Sequence, residues 1–147
     1  MIKYALLTFI LMSLFSCSGQ RPTNIGIHNG QLSLCPSSPN CVSSDDSDKD
    51  HFVEPFPITA LDDTTWKKVK DIVLNMPRTR IITETSDYLH AECHSAVFGF
   101  VDDVELHLRK ADGIIAVRSA SRLGHSDFGV NRKRIEALRA LLVKQGL

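Results

Sequence analysis

Neither charge sign is in excess in this sequence: Lys+Arg 17 stand against Asp+Glu 17. That balance argues against non-specific nucleic-acid binding, which needs a basic surplus to displace phosphate counterions. No apolar run reaches the roughly 20 residues of a membrane-spanning helix. The sequence also has no Walker loop, dinucleotide fingerprint or zinc-protease motif, and no Gly-x-Ser-x-Gly elbow; no cofactor is expected. The acidic run Asp45-Asp46-Ser47-Asp48-Lys49-Asp50 lacks the glycine turn and terminal glutamate of an EF-hand loop, so it is expected to be a solvated loop. What remains is ordinary: 43% hydrophobic and 23% charged over 147 residues. This composition argues against disorder, collagen-like repeats and coiled coil, and the length suits one domain with a modest core.

The amino terminus carries an address. Lys3 precedes the apolar stretch from Tyr4 to Phe15, broken by Thr8 and Ser13, which has the length of a secretory h-region. It ends in Leu14-Phe15-Ser16-Cys17, which resembles the bacterial lipobox. In that family of signals the peptide is cut before the cysteine, and the thiol and new amine are acylated. Residues 1–16 are therefore expected to be a lipoprotein signal peptide and Cys17 the lipidation site, with membrane attachment through acyl chains at about 0.8 kcal/mol per buried methylene. Ser18, in place of Asp, implies outer-membrane routing facing the periplasm. The alternative is a plain secretory peptide with an incidental cysteine. Residues 18–33 are polar, contain three glycines and lack a helical period; with Cys17 they read as a flexible tether, leaving 34–147 as a single domain.

Cys35, Cys41 and Cys93 remain in a disulfide-permissive compartment. Cys35 and Cys41 bound a short, proline-stiffened loop and form the best pair, contributing roughly 2–3 kcal/mol where geometry permits. A metal site or a redox pair is the rival reading. Cys93 is expected to be a buried, inert thiol.

The periodicities predict an α+β fold: an antiparallel sheet of about four strands with two helices packed on one face. The prolines of 55–57 extend the chain. Leu61, Trp66, Val69, Ile72, Val73 and Met76 recur at helical steps, with Asp62 or Asp63 as cap and Pro77 as stop. Strands are predicted near 80–85, 88–98, 101–109 and 114–122. In the second, Leu89, Ala91, Cys93, Ser95 and Val97 share one face and Tyr88, His90, Glu92 and His94 the other. A two-residue Gly99-Phe100 loop would set His94 against Glu105 and Glu92 against His107. An Asp112-Gly113 turn would set His107 against Arg118 and Asp103 against Arg122. Both registers gather Glu92, His94, Asp103, Glu105, His107, Arg118 and Arg122 on one wet face and leave an apolar face for the helices.

A last helix is expected from about Phe128 to Gln145, capped by Ser126 or Asp127. Phe128, Ile135, Leu138 and Leu142 form its core stripe, and Arg132, Lys133 and Glu136 are splayed to solvent. Asn131 lies on the same stripe. Such an inward amide needs specific partners, because leaving it unpaired costs roughly 1–3 kcal/mol.

Two segments are unusually particular: Cys35-Pro36-Ser37-Ser38-Pro39-Asn40-Cys41-Val42-Ser43-Ser44, and the run from Arg118 through Ser119, Ser121, Arg122, Gly124, His125, Asp127 and Asn131 to Arg132. With Phe100-Val101-Asp102-Asp103-Val104-Glu105 they resemble the domain-of-unknown-function family numbered 1499, over about residues 34–143. The resemblance implies a stand-alone domain, often membrane-attached, and brings no activity, cofactor or catalytic residue with it.

Three chemistries fit the polar residues. Arg118, Ser119, Ser121, Arg122, Ser126, Asn131 and Arg132 could receive a phosphate, sulfate or carboxylate near a helix start; Asp103 and Glu105 are the supporting acids, or else neutralise the arginines as a structural network. His90, Glu92, His94, Glu105 and His107 offer donors for a metal, although ordinary cross-strand pairing explains them and no metal is expected. Ser119 or Ser121 with His125 and Asp127 has hydrolase residue types. The expected function is a lipid-anchored, non-catalytic envelope module that binds an anionic component or a protein partner. A hydrolase and a purely structural lipoprotein are the alternatives.

Overall fold

The structure, a computed structural model, describes residues 19–58 and 63–147. The signal peptide, Cys17, Ser18, Leu61 and Asp62 lie outside the described residues. Among the described residues, eight strands and two helices follow one another: β1 (Ile27–His28), β2 (Gln31–Leu32), β3 (Cys41–Ser43), β4 (Phe56–Pro57), α1 (Asp63–Leu74), β5 (Thr79–Glu84), β6 (Tyr88–His94), β7 (Val101–Arg109), β8 (Ile114–Ser121) and α2 (Val130–Lys144). The fold is α+β with antiparallel pairing, as expected, but the main sheet has six strands among the described residues instead of four.

The two extra strands extend the sheet beyond β8. Cys41–Ser43 pairs with Arg118–Ala120, and Phe56–Pro57 with Ile114–Ile115. Strands this short carry no readable alternation, which is why sequence periodicity misses them. Pro57 suits an edge, where its absent N–H costs no ladder bond.

The four predicted strands occur within a few residues of their expected bounds, but the registers differ. Glu92 faces Asp103, His90 faces Glu105 and Tyr88 faces His107. Across the next pair Glu105 faces Arg118 and Asp103 faces Ala120. Against the tight-loop expectation the first pairing is displaced by four residues and the second by two. Even displacements leave every side chain on its predicted face. β6 ends at His94, so Ser95 and Val97 belong to the connecting loop instead of the inner face.

On the apolar face, Leu89, Ala91, Val104, Leu106, Ile115 and Val117 meet Trp66, Val69 and Val73 of α1 and Ile135, Leu138 and Leu142 of α2 in one core. Phe128 is not in that core; it precedes α2 and is 87% exposed. Asp127 holds the helix start, accepting the Gly129 and Asn131 backbone N–H groups at 2.9 and 2.7 Å. Cys35 and Cys41 are disulfide-bonded, and Cys93 is a free, buried thiol.

The acidic run is bound into the structure, not merely solvated. Asp45 ion-pairs with Arg109 and accepts the Leu32 N–H, while Asp46 accepts the Cys35 N–H at 2.8 Å. Arg132 reaches the carbonyls of Phe52 and Asp50, both at 2.8 Å, instead of extending into solvent. Among the described residues no helix is long and apolar enough to cross a membrane.

Candidate functional site

His90 and Glu92 of β6, Asp103 and Glu105 of β7 and Arg118 of β8 share one face, but that face is dry. Glu105 is 0% exposed, Asp103 and His90 1%, and Arg118 3%. Charges so deep require partners, since an isolated one costs several kcal/mol. Glu105 accepts the Tyr88 hydroxyl and the Gly26 N–H through Oε1, both at 2.7 Å, and Arg118 Nη1 through Oε2 at 3.1 Å. Arg122 grips Asp103 with two nitrogens, at 2.8 and 2.7 Å, and reaches Glu92 at 2.5 Å. Asp103 also meets His90 Nε2 at 2.7 Å.

Electrostatics follow these contacts. Burial alone would raise the Asp103 carboxyl, but the bonds from Arg122 and His90 outweigh it and hold the group below the usual carboxylate range. Glu92 behaves alike: Arg21 and Arg122 overcome its desolvation. Burial and the neighbouring Glu105 carboxylate push the Tyr88 phenol upward, keeping it a neutral donor. Burial, then the Arg109 charge, lowers the His107 imidazole.

The cover comes from the segment predicted to be a free tether. Residues 27–32 form the β1–β2 hairpin, and Leu32 packs on Tyr88 and Ala116. Arg21 bonds Glu92 at 2.7 Å. This strap leaves a cleft of about 330 Å³ between Pro22, Asn24, Leu34 and Pro36 on one side and Arg118 and Arg122 on the other. Arg118 lines this cleft, and its Nε is buried with no hydrogen-bond partner, the one such side-chain atom among the described residues.

A second polar cluster interrupts the helix-facing side. Asn131, 0% exposed, accepts Ser119 Oγ and Arg134 Nη1 at 2.6 Å each. Its amide nitrogen shares two protons among the Asn40 carbonyl at 2.9 Å, Ser121 Oγ at 2.9 Å and Asp127 at 2.8 Å. Arg134 in turn pairs with Asp102 at 2.6 Å. The inward amide thus has the specific partners its position demands.

The family described as Protein of unknown function (DUF1499) matches residues 31–142, well over half of the chain. The chain belongs to that family. No curated protein and no solved structure matches it.

In this DUF1499 domain the expected anion-site residues divide among separate places. Arg118 and Arg122 lie under the strap with Asp103 and Glu105. Ser119, Ser121 and Asn131 form the joint on the opposite face. Ser126 sits in the exposed turn before α2, and Arg132 is pinned to the 50–52 loop. The strand alternation itself separates Arg118 from Ser119. The hydrolase set does not assemble: Asp127 is spent on the helix start, Ser119 and Ser121 on Asn131, and no hydrogen bond joins His125 to any of them among the described residues. The candidate metal donors are likewise divided, with His90 on Asp103, Glu92 on two arginines and Glu105 on three donors. No three His, Cys, Asp or Glu side chains converge among the described residues.

Sequence reasoning missed Arg21, Gly26, Arg134 and Asp102. A signal existed for the last two: Asp102 falls on the apolar face of an alternating strand, and Arg134 lies one turn beyond Asn131. For Arg21 and Gly26 there was none, because a strap without periodicity announces no partner.

Proposed function

We propose that this DUF1499 protein is a lipid-anchored, non-catalytic module of the bacterial envelope that binds one anionic group (phosphate, sulfate or carboxylate) in the cleft over Arg118. The observation that carries this reading is the half-used guanidinium: Arg118 donates to Glu105 through Nη1 while its buried Nε has no acceptor. A buried donor left unmade costs about 1–3 kcal/mol, and an anionic oxygen that reaches Nε from the cleft removes that cost. The layer is otherwise balanced, with Arg21, Arg118 and Arg122 against Glu92, Asp103 and Glu105, so it offers a geometric fit for one group and not a broad basic surface. A purely structural role would call for a fully paired face without a cleft. The lipobox-like Leu14-Phe15-Ser16-Cys17 supports the anchor.

The test is thermal stabilisation by inorganic phosphate, sulfate and citrate at fixed ionic strength. A ligand at 100 times its Kd stabilises by about 2.7 kcal/mol, a readily measured rise in Tm. The rise should vanish in Arg118→Gln, whose Glu105 retains Tyr88 and Gly26. Wild-type protein indifferent to all three anions refutes the binding reading. Separately, Cys17→Ser should move the protein from the membrane to the soluble fraction; continued attachment refutes the anchor.

A further inference from the structure

We propose that the loops 95–100 and 122–130 form a docking face that sits on the lipid bilayer beside the acylated amino terminus. The inference rests on the lipid-anchor part of the reading above and goes beyond it by fixing which side of the domain meets the membrane.

These loops concentrate apolar surface where packing offers it no cover. Val97, Phe98 and Phe128 are 82%, 72% and 87% exposed, and Phe100, Leu123 and Val130 are each more than 40% exposed. Together they surround a cleft of about 410 Å³. Contiguous apolar patches of this kind are rare on soluble monomers and mark interaction surfaces. The side chains are presented, not merely loose. Ser95 and Phe100 close the first loop with two hydrogen bonds of 2.9 Å, and the Phe98 and Phe100 rings lie 5.7 Å apart. In the second loop Phe128 adopts φ +54, a left-handed conformation uncommon for an aromatic residue. Ser126 and Asp127 hold it there through the Phe128 and Gly129 N–H groups.

Charge does not oppose burial of the face in the headgroup region. The two carboxylates lining the cleft are both engaged, Asp102 by Arg134 and Asp127 by the start of α2.

The occupant is indicated by where the chain leads. A Cβ added to Gly19 would lie 3.0 Å from Arg122 Cβ and 3.1 Å from Leu123 Cγ, so the backbone at Gly19 touches the second loop. Cys17 is two residues upstream, at most about 7 Å of chain. Acyl chains on Cys17 therefore enter the bilayer at the edge of this patch, and aromatic side chains beside such an anchor partition into the interface.

The experiment uses the acylated protein, purified from bacterial membranes and reconstituted into phosphatidylethanolamine–phosphatidylglycerol vesicles with or without brominated acyl chains. Trp66, the single tryptophan, is buried and supplies a constant background. Phe98→Trp and Phe128→Trp report on the face; both positions are open enough to accept the larger ring. Leu141→Trp, 42% exposed and eleven residues along α2, about 16 Å from the loops, is the control. Flotation reports the anchor and quenching reports the face. At least twofold quenching of the added fluorescence in the two loop variants, with none in the control, is the expected result. Vesicle-bound protein with unquenched loop tryptophans overturns the docking face and assigns the patch to a protein partner or a second copy. Equal quenching at all three positions overturns it as well. Protein that fails to float overturns the anchor, and this inference with it.

Discussion

Replacing Asn131 tests whether the joint between α2 and the sheet is held by hydrogen bonds or by packing. The amide touches five partners: Ser119, Ser121, the Asn40 carbonyl, Arg134 and Asp127. Neutral bonds contribute about 0.5–1.5 kcal/mol each and bonds to charged groups about 1.5–3, so a simple sum is too large. The partners keep other contacts. The Asn40 carbonyl retains the Ser121 N–H, Arg134 retains Asp102 and Ser119, and Asp127 retains two backbone N–H groups. The expected loss for Asn131→Ala is therefore about 3–5 kcal/mol, a large share of the roughly 5–15 kcal/mol that holds a domain together. It corresponds to a fall in Tm of about 10–20 °C. Asn131→Leu separates the two explanations, because it fills the volume without restoring a single bond. Guanidinium unfolding followed through Trp66 fluorescence measures both variants, with an unchanged m-value as the condition for comparing midpoints. If Asn131→Leu lies within about 1 kcal/mol of wild type, below the cost of even one stranded polar group, the joint is apolar packing and the hydrogen-bond argument is wrong.

Arg122→Gln strips Asp103 and Glu92 of their shared guanidinium in a buried layer and should cost about 3–5 kcal/mol in chemical denaturation; a loss below 1 kcal/mol would show the layer to be well solvated. Acid should destabilise the protein. Asp103 and Glu92 are held below the usual carboxylate range when folded, so the unfolded chain takes up protons first. Their contribution is complete above about pH 5 and is lost as pH falls through about 4 and below. A Tm that stays level from pH 6 to pH 3 contradicts the assignment. Reduction of Cys35–Cys41, which closes a loop of sequence separation 6, should remove about 2–3 kcal/mol; the double Cys→Ser variant should show the same loss and no response to reductant.

The buried ionic layer explains why the two arginines draw attention both as a ligand site and as a structural network. Arg122 makes three hydrogen bonds inside the protein, to Asp103 and Glu92, and Arg118 makes one, to Glu105, as in a network. The Nε of Arg118 is buried without an acceptor, and Arg118 lines the cleft that the strap leaves. An anion would complete the layer without dismantling it.

Alternation along β6, β7 and β8 was sufficient to assign Glu92, Asp103, Glu105, Arg118 and Arg122 to one face and the core aliphatics to the other. The same pattern could not place Glu105 opposite Arg118, because a period of two is unchanged by slips of two or four residues. The longer 95–100 loop selected the observed pairing between β6 and β7. The spacing of Ile135, Leu138 and Leu142 with Asn131 likewise identified the buried stripe of α2, while the left-handed turn at Phe128 put that ring outside it. Only the tertiary structure decided that the polar face is dry. Residues 19–33 have neither hydrophobic period nor charge run, and their hold on the sheet comes from long-range contacts: Arg21 with Glu92, Gly26 with Glu105 and Leu32 with Tyr88. Local preference encodes which side a residue faces; what covers that side depends on a distant segment whose affinity for it appears only when the chain is folded.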